Sequence, residues 1–492
     1  MPLKLNKLRL SLSIVGLLLM AFSLWQLKQS RSGLVFETGH TAGIPYQIIS
    51  PENSGPEKRP LVLVAHGLAG SGTIMQGLAL TFAHAGYVVA TWDFDGHAGN
   101  PHAMEEDIYR PWLLANVEQV LEAVSQHQQI DTSRIAIVGH SMGTGAALSF
   151  AQKHPRTKAT VAISPINTPV TPELPHNLLL MAGQLEPHFV NNARARLAEA
   201  GGMGGDPKLG NARDCEIIPG VEHISIIFAQ ATHALALNWL NASFGIQADA
   251  QDYVEKRLLW YGLMVLGTLL IAANLIPRTN LVTQSEPATP VRRIVIMIAS
   301  AFSGTLILWL TGLLGLSLNT LFGIRAGGYL MLWFLIVGLV GMNLLKPRII
   351  RPTRSEVING LLIFAVMWLG IGLAGGGVWL PWLLIPKRLI LWPLVVLALL
   401  PWHYLLGSLS SHGGAGSRLS WWLGQSLTLF VALLLAIKVT PTLGFLMLLL
   451  PVFPLVLLLH VIPNLFQRGS WTFALSGACF VSWMLLAVFP LI

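Results

Sequence analysis

The sequence predicts two fold classes in one chain: an α/β domain built on a doubly wound, mainly parallel sheet, and an all-α polytopic transmembrane domain. Three observations carry that expectation. Between residues 34 and 244, short apolar runs alternate with stretches of helical periodicity, as strands alternate with crossover helices. From Leu258 onward acidic residues nearly vanish while Leu, Trp and Gly dominate. The whole chain is 53% hydrophobic with a mean hydropathy of +0.60, too apolar for a plain soluble enzyme. The expected division is an N-terminal signal-anchor helix in residues 1–31, the α/β domain in 32–246 and the membrane domain in 247–492. A domain of roughly 200 residues is long enough to bury its own core.

Leu8 to Leu27 is an apolar segment behind Lys4, Lys7 and Arg9, with no clear A-x-A cleavage site after it. About 18 apolar residues can span a bilayer, so an uncleaved anchor is expected. Leu34 to Ser50 holds two strand-like runs broken by Gly39 to Gly43, which fits an antiparallel hairpin. Leu61 to Ala65 is a continuous apolar strand running into His66-Gly67-Leu68-Ala69-Gly70. Ile74 to Ala85 reads as helix, Tyr87 to Trp92 as strand, and Asp93-Phe94-Asp95-Gly96-His97 as the loop beyond. Pro111 to Gln128 is helical. Further strands are expected at Ile135–Val138, Ala159–Ile163, Leu178–Ala182 and Glu216–Ile218, with helices at Phe189–Ala200 and Ile224–Phe244. The glycine run Gly201 to Gly205 lacks the Lys-Ser/Thr of a phosphate loop.

The membrane domain divides into about eight apolar spans, near 258–276, 294–314, 327–345, 357–375, 389–406, 419–437, 443–462 and 471–491. Basic residues between them indicate orientation. Lys4, Lys7, Arg9, Arg278, Arg292, Arg293, Lys346, Arg348, Arg351, Arg354, Arg418 and Arg468 fall on one side, against Arg325, Lys387, Arg388 and Lys438 on the other. That asymmetry of twelve to four predicts a cytoplasmic N-terminus and an α/β domain on the non-cytoplasmic side, in compact loops that suit a bacterial inner membrane. Most of the basic residues of the second half serve this purpose, so the net charge of +8 calls for no nucleic-acid partner. No span shows an obvious carboxylate or paired charge, which speaks against coupled ion transport. The two cysteines, Cys215 and Cys479, sit in different halves and are not expected to pair. No spacing of His, Cys and carboxylates demands a metal, and no cofactor is expected.

The chemistry centres on Arg134 to Ala147, RIAIVGHSMGTGAA. Ile135 to Val138 suits a buried strand; Gly139, His140, Ser141, Met142 and Gly143 spell G-x-S-x-G; small residues then open a helix. A serine on such a turn is held in a strained backbone with its hydroxyl exposed, and side chains at the two glycines would collide with the adjoining strand and helix. This stretch resembles the nucleophile elbow of the α/β-hydrolase family, the esterase- and lipase-like serine hydrolases, and the resemblance extends over roughly residues 34 to 244. It implies Ser141 as nucleophile, followed in the chain by an acid and then a histidine.

The remaining site residues are what that resemblance implies. The strand Leu178 to Ala182 ends in Gly183-Gln184-Leu185-Glu186-Pro187, similar to the family's acid turn, which makes Glu186 the acid; Glu173, in a Pro-flanked loop, is the weaker candidate. Ile217-Ile218-Pro219-Gly220-Val221-Glu222-His223 matches the family's Gly-x-x-His ending and makes His223 the base. The oxyanion donors are the backbone N–H groups of Met142 and, from the His-Gly-x turn, Leu68, with His66 supporting that loop. Asp93, Asp95 and His97 resemble the family's D-x-x-G-H turn, whose plain role is a hydrogen-bonded loop.

The implied function is a membrane-anchored serine hydrolase cleaving an ester or thioester through an acyl-enzyme, on a small-molecule or lipid ester, with the lipid bilayer as its other partner. An acyltransferase would use the same residues. A transporter or scaffold carrying a hydrolase-like sensor is the reading from another class, and the complete set of site positions speaks against it. Only 12 residues, Pro165 to His176, separate two strands where many lipases insert a helical cap.

Overall fold

The computed structural model describes residues 7–52, 57–105, 111–246, 253–277, 289–316, 318–347, 349–410, 415–444, 446–450, 452–465, 467 and 469–492. It divides into two compact units: Trp25–Tyr261 with Gly375–Ile385 and Pro490–Ile492, and Met1–Leu24 with Gly262–Ala374 and Pro386–Phe489.

The first unit holds eight strands: β1 (Leu34–Thr41), β2 (Ile44–Pro51), β3 (Arg59–Ala65), β4 (Val88–Trp92), β5 (Ile130–His140), β6 (Thr157–Ile163), β7 (Leu178–Gly183) and β8 (Arg213–Ile218). They form one sheet in the order β1-β2-β4-β3-β5-β6-β7-β8. β1 and β2 are an antiparallel hairpin and β2 runs antiparallel to β4, while β4, β3, β5, β6, β7 and β8 are parallel. The predicted doubly wound α/β sheet is therefore observed. Between the strands lie α2 (Gln76–His84), α3 (Pro111–Val124), α4 (Met142–Lys153) and α5 (Pro187–Glu199), and α6 (Gln230–Phe244) closes the unit; α1 (Lys7–Gln29) precedes it.

Strand β3 shows why the sheet takes helices on both faces. Successive side chains of a strand point to opposite sides. Leu61, Leu63 and Ala65 enter one core with Val117, Val120 and Phe150, while Val62 and Val64 enter another with Leu78, Phe82 and Leu240. All five are fully buried. Each large apolar side chain so buried contributes about 1.5–3 kcal/mol, more than the ~1 kcal/mol range of β-propensity. Burial on both faces therefore sets the strand's central place, and it leaves the strand no polar alternation. The edge strand β1 does alternate between exposed and half-buried residues.

The second unit is helical: α7 (Arg257–Leu275), α8 (Pro290–Leu313), α9 (Gly327–Leu345), α10 (Arg354–Met367), the short α11 (Pro386–Leu389), α12 (Trp392–Ser410), α13 (Ala415–Val439), the short α14 (Leu446–Leu449), α15 (Val452–Val461) and α16 (Ser470–Val488), together with most of α1. Among the described residues, eight helices are long and apolar enough to cross a membrane, α1 and seven in the C-terminal region. The expected single span at 443–462 is instead two pieces, α14 and the ten-residue α15. Pro441 opens a short 3₁₀ turn before the first piece and Pro454 lies in the first turn of the second, where proline's missing N–H donor is tolerated. Helices α1 and α7 pack through small residues: a Cβ at Gly16 would lie 2.8 Å from the Gly267 carbonyl oxygen, and one at Gly267 would lie 2.6 Å from that of Gly16.

Imidazoles enter this unit as well. His403 and His460 are buried with ring centroids 5.3 Å apart. Gly477 admits them, since a Cβ there would come within 2.6 Å of atoms in both rings. A reading of the spans by their Lys, Arg, Asp and Glu residues passes over such polar groups.

Candidate active site

The C-terminal end of β5 delivers Ser141 into a backbone of φ 52° and ψ −119°, a region a non-glycine residue occupies only under strain. The adjoining glycines make that turn sterically feasible. A Cβ at Gly139 would sit 2.2 Å from the Gly143 carbonyl oxygen, and one at Gly143 would sit 2.5 Å from that of Ala65. Helix α4 thereby starts directly at Met142, close against the end of β3. Ser141 is largely buried, as are His223 and Glu186.

The three side chains meet from three strand ends. His223 Nε2 lies 2.9 Å from Ser141 Oγ, and His223 Nδ1 lies 2.6 Å from Glu186 Oε2. A carboxylate only accepts, so Nδ1 carries the proton and Nε2 is left as the acceptor facing the serine hydroxyl. The other carboxylate oxygen, Oε1, accepts from Ser164 Oγ at 2.6 Å and from the Gly183 N–H at 2.6 Å. Glu173 is exposed in its loop and takes no part. Glu222 turns its carboxylate away from the ring of its neighbour, onto the N–H groups of Ile224 and Ser225 at 2.7 and 2.8 Å. Among the described residues, neither the Met142 nor the Leu68 N–H has an internal acceptor.

Three supporting groups escaped the sequence reading. His140 donates from Nε2 to the His223 carbonyl oxygen at 2.9 Å and so fastens the elbow to the His223 loop. Its only sequence signal is its place beside Ser141 within the motif. Ser164, at the end of β6 with φ 52°, braces Glu186. Phe189, three residues beyond Glu186, stacks on the His223 ring with centroids 4.2 Å apart.

The loops beyond β3 and β4 are tied together. His66 donates from Nδ1 to the Gly67 carbonyl at 2.8 Å and accepts the Phe94 N–H on Nε2 at 3.0 Å. Asp93 accepts from the N–H groups of Gly72 and Gly99 at 2.8 and 3.0 Å. Asp95 is held by Asn100 and Asn116, and His97 donates to the Asp95 carbonyl. No group of three or more His, Cys, Asp or Glu able to hold a metal occurs among the described residues.

Residues 56–213 match the family described as serine aminopeptidase, S33. With the parallel sheet and the strained serine turn, this decides the assignment. The eight-stranded unit has the α/β-hydrolase fold. Its sequence is 32% identical over 105 residues to an uncharacterized protein of Mycobacterium tuberculosis, covering 21% of this chain and 36% of that protein. It is 30% identical over 106 residues to cutinase 1 of Thermobifida cellulosilytica, covering 21% of this chain and 38% of that one. The chain thus spans a little over a third of the length of these curated relatives. Among solved structures, a bacterial heroin esterase aligns with a TM-score of 0.34 at 16% identity, over 46% of this chain and 90% of the other.

Two buried imidazoles are expected to make this domain less stable in acid. Burial holds His66 down to about 4, and burial followed by the nearness of His223 holds His140 well below the ordinary histidine range. Protonating His66 would also cost the bond from Phe94. The unfolded chain takes up these protons near the ordinary value of about 6.5 while the folded domain does not. Stability is therefore full above that pH and falls as pH drops toward 4, by about 3 kcal/mol for His66 alone. Urea unfolding followed by hydrogen exchange of β3 and β5 is expected to show that slope. A midpoint unchanged between pH 7 and 4.5 would contradict it.

Proposed function

We propose that the chain is a membrane-anchored serine hydrolase that cleaves ester or thioester bonds of apolar, lipid-like acyl substrates through an acyl-enzyme. The observation that carries the reading is the continuous hydrogen-bonded line from Ser141 Oγ through His223 to Glu186. Serine alone is a poor nucleophile at neutral pH and needs a base in contact, itself oriented by a carboxylate.

In this reading Ser141 Oγ attacks the acyl carbonyl carbon while His223 Nε2 takes its proton. The bond to the leaving oxygen or sulfur then breaks as His223 returns that proton to the leaving group. Water, deprotonated by the same nitrogen, attacks the acyl-enzyme, releasing the carboxylic acid and restoring the serine hydroxyl. Glu186 stays ionised and stabilises the imidazolium. The oxyanion is held by the N–H groups of Met142 and Leu68, each worth about 2.7–4 kcal/mol in such a site.

The similarity to a cutinase supports an ester as the scissile group. An apolar substrate is supported by the tethering of the hydrolase domain at both ends, through α1 and α7, to helices able to cross a membrane. The basic-residue asymmetry supports a non-cytoplasmic position for the domain, at a bacterial inner membrane. One experiment tests these elements together. A membrane-impermeant fluorophosphonate added to spheroplasts is expected to form an adduct mapped to Ser141, and a panel of acyl esters is expected to be turned over in a manner that rises with chain length. Absence of the adduct in detergent-opened cells would remove the serine mechanism. An adduct formed only after opening would move the domain to the cytoplasm.

A further inference from the structure

A cavity of about 630 Å³ lies within the first unit, and Ser141 is not among its lining residues. Its walls include Lys28 at the end of α1, Arg31 in the turn that follows, Phe36 on β1, Glu52 after β2, Arg257 at the start of α7, and Val378. The sheet register puts it at the far end of the strands from the catalytic residues. Ala65 pairs with Gly139 at the C-terminal end of the parallel strands, and Tyr46 with Trp92 near that same end. Leu34 pairs with Pro51 at the opposite end, where this cavity opens.

The charges there are unevenly balanced. Arg257 is buried and shares its charge with Glu255, Nε to Oε2 at 2.9 Å, while its Nη1 donates to Gln76 and to the Gly377 carbonyl. Arg31 lies with its guanidinium carbon 3.8 Å over the Phe36 ring, which leaves its N–H edge available. Among the described residues, neither Arg31 nor Lys28 is ion-paired with a carboxylate. Partial burial and then the nearby Arg257 charge both lower the Arg31 pKa.

We propose that this cavity binds the phosphate headgroup of an anionic lipid, held by Lys28 and Arg31 in the field of Arg257. A lipid source, as opposed to a soluble phosphate, follows from position. The two helices whose ends form the wall are both long and apolar enough to cross a membrane, and they pack on each other at Gly16 and Gly267. Trp25, one turn before Lys28, is 54% exposed, as an aromatic residue at the headgroup level would be. Leu27, Leu34 and Val378 add apolar wall for the glycerol and upper acyl carbons. Basic pockets where spans leave the bilayer bind lipid headgroups through this combination.

The test uses the full chain, purified in neutral detergent, delipidated and titrated with phosphatidylglycerol or phosphatidylcholine while native mass spectrometry counts bound lipid. Phosphatidylglycerol is expected to bind about tenfold more tightly, the effect of roughly one to two interfacial cations. The pair Lys28→Gln with Arg31→Gln is expected to remove the preference, and Lys158→Gln, an exposed change on β6, to leave it intact. Should the paired variant fail to fold, the wild-type preference must still collapse in about 1 M salt. Equal binding of the two lipids, or a preference that survives both the paired substitution and salt, overturns the proposal. Displacement of phosphatidylglycerol by equimolar glycerol phosphate would reassign the site to a soluble anion. None of these readouts depends on Ser141 chemistry.

Discussion

Replacing Ser141 by Ala, or His223 by Ala, is expected to lower ester turnover by about 10⁶-fold, and replacing both is expected to lower it little further. The expectation follows from the 2.9 Å contact between Oγ and Nε2. Each group is useful only through the other: the hydroxyl without its base is un-ionised at neutral pH, and the base without its hydroxyl has no bound nucleophile to activate. Residual turnover of about 10³–10⁴ over water would come from binding and from the oxyanion donors, which neither substitution touches. Steady-state kinetics on a soluble short-chain ester would measure it, with circular dichroism confirming that each variant folds. Losses that multiply in the double variant would mean that the two residues act independently, and the proposed mechanism would be wrong.

The Glu186→Gln variant is expected to lose about 10⁴-fold in kcat, and Glu173→Gln to lose almost nothing. The hydrogen bonds around the carboxylate explain the size of the effect. Oε1 already accepts from Ser164 and from the Gly183 N–H, and Oε2 accepts from His223 Nδ1. An amide at 186 must turn its NH₂ toward one of these two sides. Toward Gly183 it sets donor against donor; toward His223 it forces the imidazole to carry its proton on Nε2, where it can no longer accept from Ser141. Glu173, exposed and far along its loop, touches none of this. Normal activity in Glu186→Gln together with loss in Glu173→Gln would reverse the assignment of the acid.

The elbow was legible because its chemistry is local. A strand, a five-residue turn and a helix follow one another, and the two glycines are dictated by contacts with chain only a few residues away or with the adjoining β3. The positions of Glu186 and His223 were legible through strand ends, since a parallel sheet lines up the C-terminal ends of its strands whatever the loops between them. The alternation of strands and helices, the apolar runs of β3 to β7 and the membrane-length helices likewise lie in the order of residues.

Tertiary structure alone decided the rest. That Glu186 and not Glu173 reaches the imidazole depends on which carboxylate the Ser164 hydroxyl, on another strand end, can brace together with the local Gly183 N–H. The bond from His140 to the His223 carbonyl joins residues 83 positions apart. The division of 443–462 into two helical pieces falls in a segment that is apolar throughout, so hydropathy alone could not separate one span from two. The assignment of Gly375–Ile385 and Pro490–Ile492 to the hydrolase unit was equally hidden: Leu491 pairs through its N–H and carbonyl with Gly96 and Met104, nearly 400 residues earlier. Local patterns record which face of an element is buried and where the chain turns; they carry no record of which distant backbone donor meets which acceptor, because that pairing is settled only when the whole core closes.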